Sequence, residues 1–332
     1  MKPKVFVTRP LPKEAMDKIQ SACDAKVWEH ELPPSRDVLL RNVVEIKGLL
    51  TLLTDKVDAE LMNRARKLKV VSNCAVGFDN IDVQEATKRG IIVGNTPGVL
   101  TDTVADLAFG LLIAAARRVV EGDRIVRAGK WKTWGPMILL GQDVYNTTIG
   151  IIGLGRIGSA VAKRAKGFGM KVLYTGRGRH PQAETELGAE YAELDRLLAQ
   201  SDFITLHTNL TPETYHLIGK KQFEKMKRTA VLVNTSRGPI VDNTALYTAL
   251  KSGKIAYAAL DVTEPEPLSA QHPLLTLDNV IVVPHIASAS VATRTKMAVM
   301  AVDNLIAGLK GKMPPNPVNP DALKKTRQRT TR

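Results

Sequence analysis

Short runs of Val, Ile and Leu alternate with helix-like stretches along nearly the whole chain. KVFVT, beginning at Lys4, precedes a helical pattern from about Lys13. GLLTLLT precedes DAELMNRARK, KVVSNCAV precedes DVQEATKRG, and IIVGNT follows. Such alternation predicts a parallel α/β unit over residues 1 to about 100. A second series opens at TIGIIG (Thr148 to Gly153) and continues with KVLYTG, DFITLHT, AVLVNTS, YAALDV and VIVVPH. Strands of this kind linked by helices predict a doubly wound dinucleotide-binding sheet. A long helix starting at TDTVADLAFG separates the two series, with Thr101 or Asp102 able to cap its first turn. A final helix, VATRTKMAVMAVDNLIAGL, starts at about Val291. The pattern therefore predicts a discontinuous chain. Residues 1–100 and 287–332 form one domain and 101–286 the other, with helical crossings as a hinge and a cleft between domains.

Composition narrows the class. A chain of 332 residues is too long for one ordinary core. Hydrophobic residues at 44% and charged residues at 24% are ordinary for a globular protein. The two cysteines, Cys23 and Cys74, suggest no disulfide framework and point to a reducing cytoplasm. Cys74 reads as a packing residue, since nothing nearby marks an activated thiolate. No Cys/His cluster suggests a metal. The N-terminus lacks the apolar core of a signal peptide. The most apolar run, Leu107 to Ala116, is half the length of about twenty residues that a membrane span needs, so a buried helix is expected and no membrane partner. A net charge of +14 admits nucleic acid, anionic lipid or a small anionic substrate. The charges are dispersed and aromatics are only 5%, which favours solvated surface plus an anionic pocket over nucleic acid. The basic stretch KKTRQRTTR, from Lys324, reads as a disordered tail.

The most specific motif is GLGRIG: Gly153, Leu154, Gly155, Arg156, Ile157 and Gly158. It follows a β run and opens RIGSAVAKRAKGF, a good helix. The first glycine permits the tight turn, the second lets backbone approach a pyrophosphate, and the third lets helix pack on strand. The helix N-terminus adds N–H groups and a positive dipole. About twenty residues on, an acid would ordinarily bind the adenosine ribose hydroxyls of NAD. YTGRGRHP instead offers Thr175, Gly176, Arg177 and Arg179. No carboxylate lies between Val172 and Pro181, and two cations can pair with a ribose phosphate, so NADP is expected in preference to NAD.

Three segments end strand-like runs of the second series: VNTSRGPIVD with Arg237, LDVTEPEPL with Asp261 and Glu266, and VVPHIASAS with His285. Ligands of doubly wound sheets lie outside the carboxyl ends of the strands. Hydride reduction of a ketone leaves a developing alkoxide that needs a proton, which His285 can donate. Glu266 can orient the ring and favour imidazolium. Arg237 can hold a carboxylate next to the carbonyl. Taken singly, each has an ordinary alternative as a capping histidine, a loop acid or a turn arginine.

GIIGLGRIG, VNTSRG, LDVTEPEP and PHIASAS together resemble the D-isomer-specific 2-hydroxyacid dehydrogenases, over residues 4 to about 318. The resemblance implies a two-domain α/β fold, with a Rossmann-type doubly wound coenzyme domain and a flavodoxin-like α/β substrate domain. It implies Arg237 on the substrate carboxylate and oxo groups, His285 as acid/base and Glu266 as its partner. Asp261 would contact the nicotinamide amide. Backbone N–H groups of Val76 and Gly77, in NCAVGFDNID, would hold the carboxylate. Leu210, Pro212, Thr214, Thr235 and, more weakly, Thr103 would line the cofactor. Within the family, YTGR, DVTEPEPLSAQHPLLTLDNVIVVPH and NLIAGLKG are most similar to the glyoxylate/hydroxypyruvate reductases. That implies reduction of glyoxylate and hydroxypyruvate with NADPH. A broad D-2-hydroxyacid or 3-phosphoglycerate dehydrogenase and, in another class, a nucleotide-sensing corepressor remain as alternatives. Formate oxidation is disfavoured, because that chemistry in the family pairs His with Gln. Ala287 stands where the family has Gly, and Asn209 where it has Pro. Family members are usually homodimers. WKTWGPMILLG, from Trp131, reads either as a partner contact or as internal core.

Overall fold

Continuous apolar runs become strands buried on both faces. The computed structural model describes residues 1–323, and the basic stretch from Lys324 lies outside the described residues. The chain forms two compact units: Met1–Leu100 with the chain from Ala289 onward, and Thr101–Ser288.

In the first unit, β1 (Lys4–Val7), α1 (Lys13–Ala22), β2 (Asp24–Val27), α2 (Arg36–Asn42), β3 (Gly48–Thr51), α3 (Ala59–Arg64), β4 (Val70–Asn73), α4 (Val83–Arg89) and β5 (Ile92–Gly94) alternate. All pairings are parallel, in the order β2-β1-β3-β4-β5, the flavodoxin-like arrangement. Every residue of β3 and β4 is buried, as expected of strands covered on two faces. Ser35, Asp58 and Asp82 cap α2, α3 and α4 by accepting a backbone N–H. Gly90 ends α4 at φ 74°, a conformation that favours glycine.

The second unit opens with α5 (Thr101–Ala116) and α6 (Val119–Arg127). It continues as β6 (Thr148–Ile152), α7 (Arg156–Gly167), β7 (Lys171–Thr175), α8 (Pro181–Leu187), β8 (Glu190–Tyr191), α9 (Leu194–Gln200), β9 (Phe203–Leu206), α10 (Lys220–Lys225), β10 (Val231–Asn234), α11 (Asn243–Lys251), β11 (Tyr257–Leu260) and β12 (Val280–Val282). The sheet runs β12-β11-β10-β9-β6-β7-β8, all parallel. Its order reverses beside β6, so the switch point lies between β6 and β9. The apolar helix α5 buries Ala108, Phe109, Leu111, Leu112, Ala115 and Ala116 in the core with Ile149, Ile151, Val161 and Val233. No described helix is long and apolar enough to cross a membrane. From Ser290, which caps it, α12 (Val291–Leu309) returns to the first unit and packs Ala298, Ala301, Val302 and Leu305 against Val5, Leu50 and Val70.

Candidate active site

The glycine turn sits at the switch point, after β6. Gly153 has φ 98°, and a Cβ there would lie 2.6 Å from the carbonyl oxygen of His207 at the end of β9. A Cβ on Gly158 would lie 2.1 Å from the oxygen of Gly153, so this glycine lets α7 close on the turn. At Gly155, which begins α7, a Cβ would meet nothing within 4 Å. The first and third glycines thus answer to packing, while the second faces open space. Leu154 is buried beneath the turn, and Arg156 is exposed. The hydroxyl of Thr235, after β10, is buried and has no hydrogen-bond partner among the described residues. An open glycine at a helix N-terminus and an orphaned buried hydroxyl fit a dinucleotide at this edge.

At the end of β7, Thr175 is half-buried, and Arg177 and Arg179 are exposed. Here folding adds what linear reading missed. α8 returns Glu184 to the turn, where it pairs with Arg179 at 2.5 Å. The turn therefore does contain a carboxylate, and of its two arginines Arg177 is the one with no ion-pair partner among the described residues. In the loop after β9, the Thr214 hydroxyl accepts from Thr211 N at 2.7 Å and donates to the carbonyl of Asn209 at 2.7 Å, which fixes the loop. Leu210 packs against the core, and Pro212 and Asn209 are exposed. Thr103 lies in the first turn of α5.

His285 and Glu266, nineteen positions apart, are brought to 2.5 Å, Nδ1 to Oε1. Backbone strain accompanies the pair, since His285 has φ 53°. Its N–H donates to the carbonyl oxygen of Asp261 at 2.9 Å. The Asp261 carboxylate then accepts the next two N–H groups, Ile286 at 2.6 Å and Ala287 at 2.9 Å. Asp261 is 1% exposed, and burial pushes its carboxyl up while those N–H groups and His285 pull it down. Asp261 is thus the brace of the segment that carries His285. Ala287 is buried and lacks a positive φ, so alanine replaces glycine here without strain.

Arg237 stands on a turn held by Asn234, which is fully buried. The Asn234 amide donates to the carbonyl of Arg237 at 2.9 Å, and its oxygen accepts Ser236 N at 3.0 Å. Gly238 seats this turn against the segment leading to Glu266, where a Cβ would lie 1.9 Å from the oxygen of Thr263. In the first unit, the carbonyls of Ala75, Val76 and Gly77 are all taken from within. They accept from Thr96 N at 2.9 Å, the Asn95 amide at 2.8 Å and the Asn73 amide at 2.8 Å. In a trans peptide the following N–H points the opposite way. The N–H groups of Val76 and Gly77 are therefore directed away from these anchors. Cys74 is half-buried beside this loop, and desolvation pushes its thiol up to about 11, consistent with packing.

Histidine paired with glutamate, an arginine on a braced turn and a dinucleotide cradle, all on the carboxyl edge of one doubly wound sheet, define a nucleotide-dependent oxidoreductase. Comparison with known proteins gives the family. The sequence profile of the D-isomer specific 2-hydroxyacid dehydrogenase NAD binding domain matches residues 109–287. A glyoxylate reductase of Korarchaeum cryptofilum is 57% identical over 98% of each chain. The crystal structure of a Thermus thermophilus protein superposes with TM-score 0.89 at 47% identity, over 95% of this chain and 99% of that one. An NADPH-dependent glyoxylate/hydroxypyruvate reductase of Sinorhizobium meliloti, solved with NADP and malonate, gives TM-score 0.85 at 32% identity over 97% and 98%. This chain belongs to the D-isomer-specific 2-hydroxyacid dehydrogenases.

Proposed function

We propose that the protein reduces small 2-ketoacids, glyoxylate to glycolate and hydroxypyruvate to D-glycerate, with NADPH preferred over NADH. The observation that carries the acid/base chemistry is the 2.5 Å contact between His285 Nδ1 and Glu266 Oε1. With Nδ1 engaged by a carboxylate, Nε2 is the atom that gives a proton to the carbonyl oxygen. Glu266 orients the ring. Arg237 takes the substrate carboxylate, with the N–H groups of Val76 and Gly77 as further donors. The reduced nicotinamide dinucleotide supplies the hydride when bound. Gly153 to Gly158 would hold its pyrophosphate and Arg177 its ribose phosphate. The names of the relatives support this substrate class.

The test is catalytic efficiency with glyoxylate, hydroxypyruvate and pyruvate, each with NADPH and NADH. Strong turnover of the first two with NADPH is expected. Preference for NADH would overturn the cofactor assignment and leave the enzyme class. Turnover confined to another 2-hydroxyacid pair would overturn the substrate assignment, and binding without turnover would favour a nucleotide sensor.

We further infer a cytoplasmic homodimer. Trp131, Trp134, Met137, Ile138 and Leu140 are 48–77% exposed, so this apolar arm is no internal core contact. Light scattering should report a dimer, and Trp131→Glu with Trp134→Glu should yield monomer. A monomeric parent protein would remove the inference.

A further inference from the structure

The end of β7 carries a side-chain network that the proposed chemistry does not use. Tyr174 is buried in the core, and its hydroxyl accepts the N–H of His180 at 2.7 Å and donates to Glu184 Oε1 at 2.5 Å. Glu184 binds Arg179 at two points, Nε to Oε1 at 3.0 Å and Nη2 to Oε2 at 2.5 Å. Arg179 and then the Tyr174 hydroxyl hold the Glu184 carboxyl down at about 2, so it is ionised at any working pH. Arg177, two residues earlier, has no hydrogen bond or ion pair among the described residues, and Gly178 between them leaves open space.

An exposed ion pair ordinarily swings freely and contributes little. This one does not swing freely, because Tyr174 grips the carboxylate from the core side. The Glu184 side chain is only 19% exposed although Arg179 is 67% exposed. The turn thus presents one uncommitted cation and one cation neutralised by a fixed anion. A ribose 2′-phosphate arriving here must share Arg179 with Glu184 and approach a carboxylate of its own sign. A ribose hydroxyl meets no such repulsion.

We propose that Glu184 is a specificity-determining residue of the cofactor site: by holding Arg179 it limits the preference for the phosphorylated dinucleotide and keeps the unphosphorylated one usable. Arg177 is then the cation left for the phosphate. The inference rests on the reading that the end of β7 receives the adenosine ribose.

The experiment is direct titration of NADPH and NADH binding by fluorescence, on the parent protein, Glu184→Gln and Arg177→Ala. Gln keeps the size of the side chain and an acceptor for the Tyr174 hydroxyl, and matching melting temperatures check the fold. In Glu184→Gln, NADPH should tighten by about 2–5-fold while NADH changes by less than about two-fold. Unchanged or weaker NADPH binding in Glu184→Gln overturns the proposal, since weaker binding would mean that Glu184 aims Arg179 at the phosphate. Arg177→Ala separates the two readings. If it weakens NADPH and NADH equally, the ribose-phosphate assignment fails on its own, whatever Glu184→Gln does.

Discussion

The second unit holds two histidine–glutamate pairs, His285 with Glu266 and His216 with Glu264, and they are wired differently. Both histidines have left-handed backbone, φ 53° and 50°, and both have their N–H anchored, His285 to the oxygen of Asp261 at 2.9 Å and His216 to that of Pro239 at 2.8 Å. His285 meets its glutamate through Nδ1, the nitrogen nearer the backbone. His216 meets Glu264 through Nε2, the far nitrogen, at 2.9 Å, with its ring stacked on Tyr215 at 4.0 Å between centroids. Tyr215 also donates to Glu264 at 3.3 Å. Pairing through the near nitrogen turns the far one away from the carboxylate, which is what the proposed proton donor requires. Pairing through the far nitrogen makes the ring a strut between two loops. The presence of a His–Glu pair therefore does not mark an acid/base. The two pairs differ in the ring nitrogen that is engaged.

The largest test sets the two histidines against each other. His285→Ala should lower kcat by about 10²–10⁴-fold with cofactor affinity nearly unchanged. His216→Ala should cost less than about ten-fold, the scale of one lost hydrogen bond, and appear in the cofactor KM. Comparable losses in kcat would break the distinction. Arg237→Ala should reduce kcat/KM for the ketoacid by about 10²-fold or more, through the lost charge-assisted bonds to the carboxylate. An unchanged kcat/KM would remove Arg237 from the substrate.

Much of this was legible in the chain, for physical reasons that also explain what was not. Strands buried on both faces are largely apolar, so β3, β4, β9 and β10 stand out by their Val, Ile, Leu and Phe, with buried polar residues such as Thr51, Asn73 and Asn234 toward their carboxyl ends. The edge strands β2 (DAKV) and β8 (Glu190–Tyr191) need only partial cover; both alternate half-buried with exposed residues or lie half-buried, and neither stands out as an apolar run. The glycine turn was readable because its glycines answer to steric demands within a few residues. Glu184 was not, because only the return of α8 brings it to Arg179. Asn234 and Asp261 were visible as residues, but their roles as braces depend on turn geometry that spacing does not reveal. The one signal available for His216 was that TYH precedes a strand-like LIG while EPEP carries two acids, which allows two partners without assigning them.

A finer test removes only charge. Glu266→Gln should lower kcat by about 10–100-fold, because a neutral amide holds the ring nitrogen less firmly than a carboxylate does. Glu264→Gln should stay within about five-fold, because an amide oxygen still accepts from the ring N–H. Parity between the two would mean that both glutamates serve as struts.

The smallest effect sharpens the comparison through a histidine with no carboxylate at all. His207, at the end of β9, has the Thr205 hydroxyl at 2.9 Å from Nε2, and burial lowers its pKa to about 4. An unfolded histidine titrates near 6.5, so between those values the unfolded chain binds a proton that the folded one refuses. Stability must then rise with pH through this window: the penalty is absent above about 6.5 and fully developed below about 4. His207→Gln, which keeps a hydrogen-bonding end for Thr205, removes that slope. Melting or urea midpoints for both proteins from pH 4.5 to 8 should show the parent losing ground to the variant as pH falls, on the order of 1–3 kcal/mol. A difference that stays flat with pH would mean that His207 protonates in the fold as easily as outside it. Burial without an anion would then not be what separates this histidine from the two that glutamate holds.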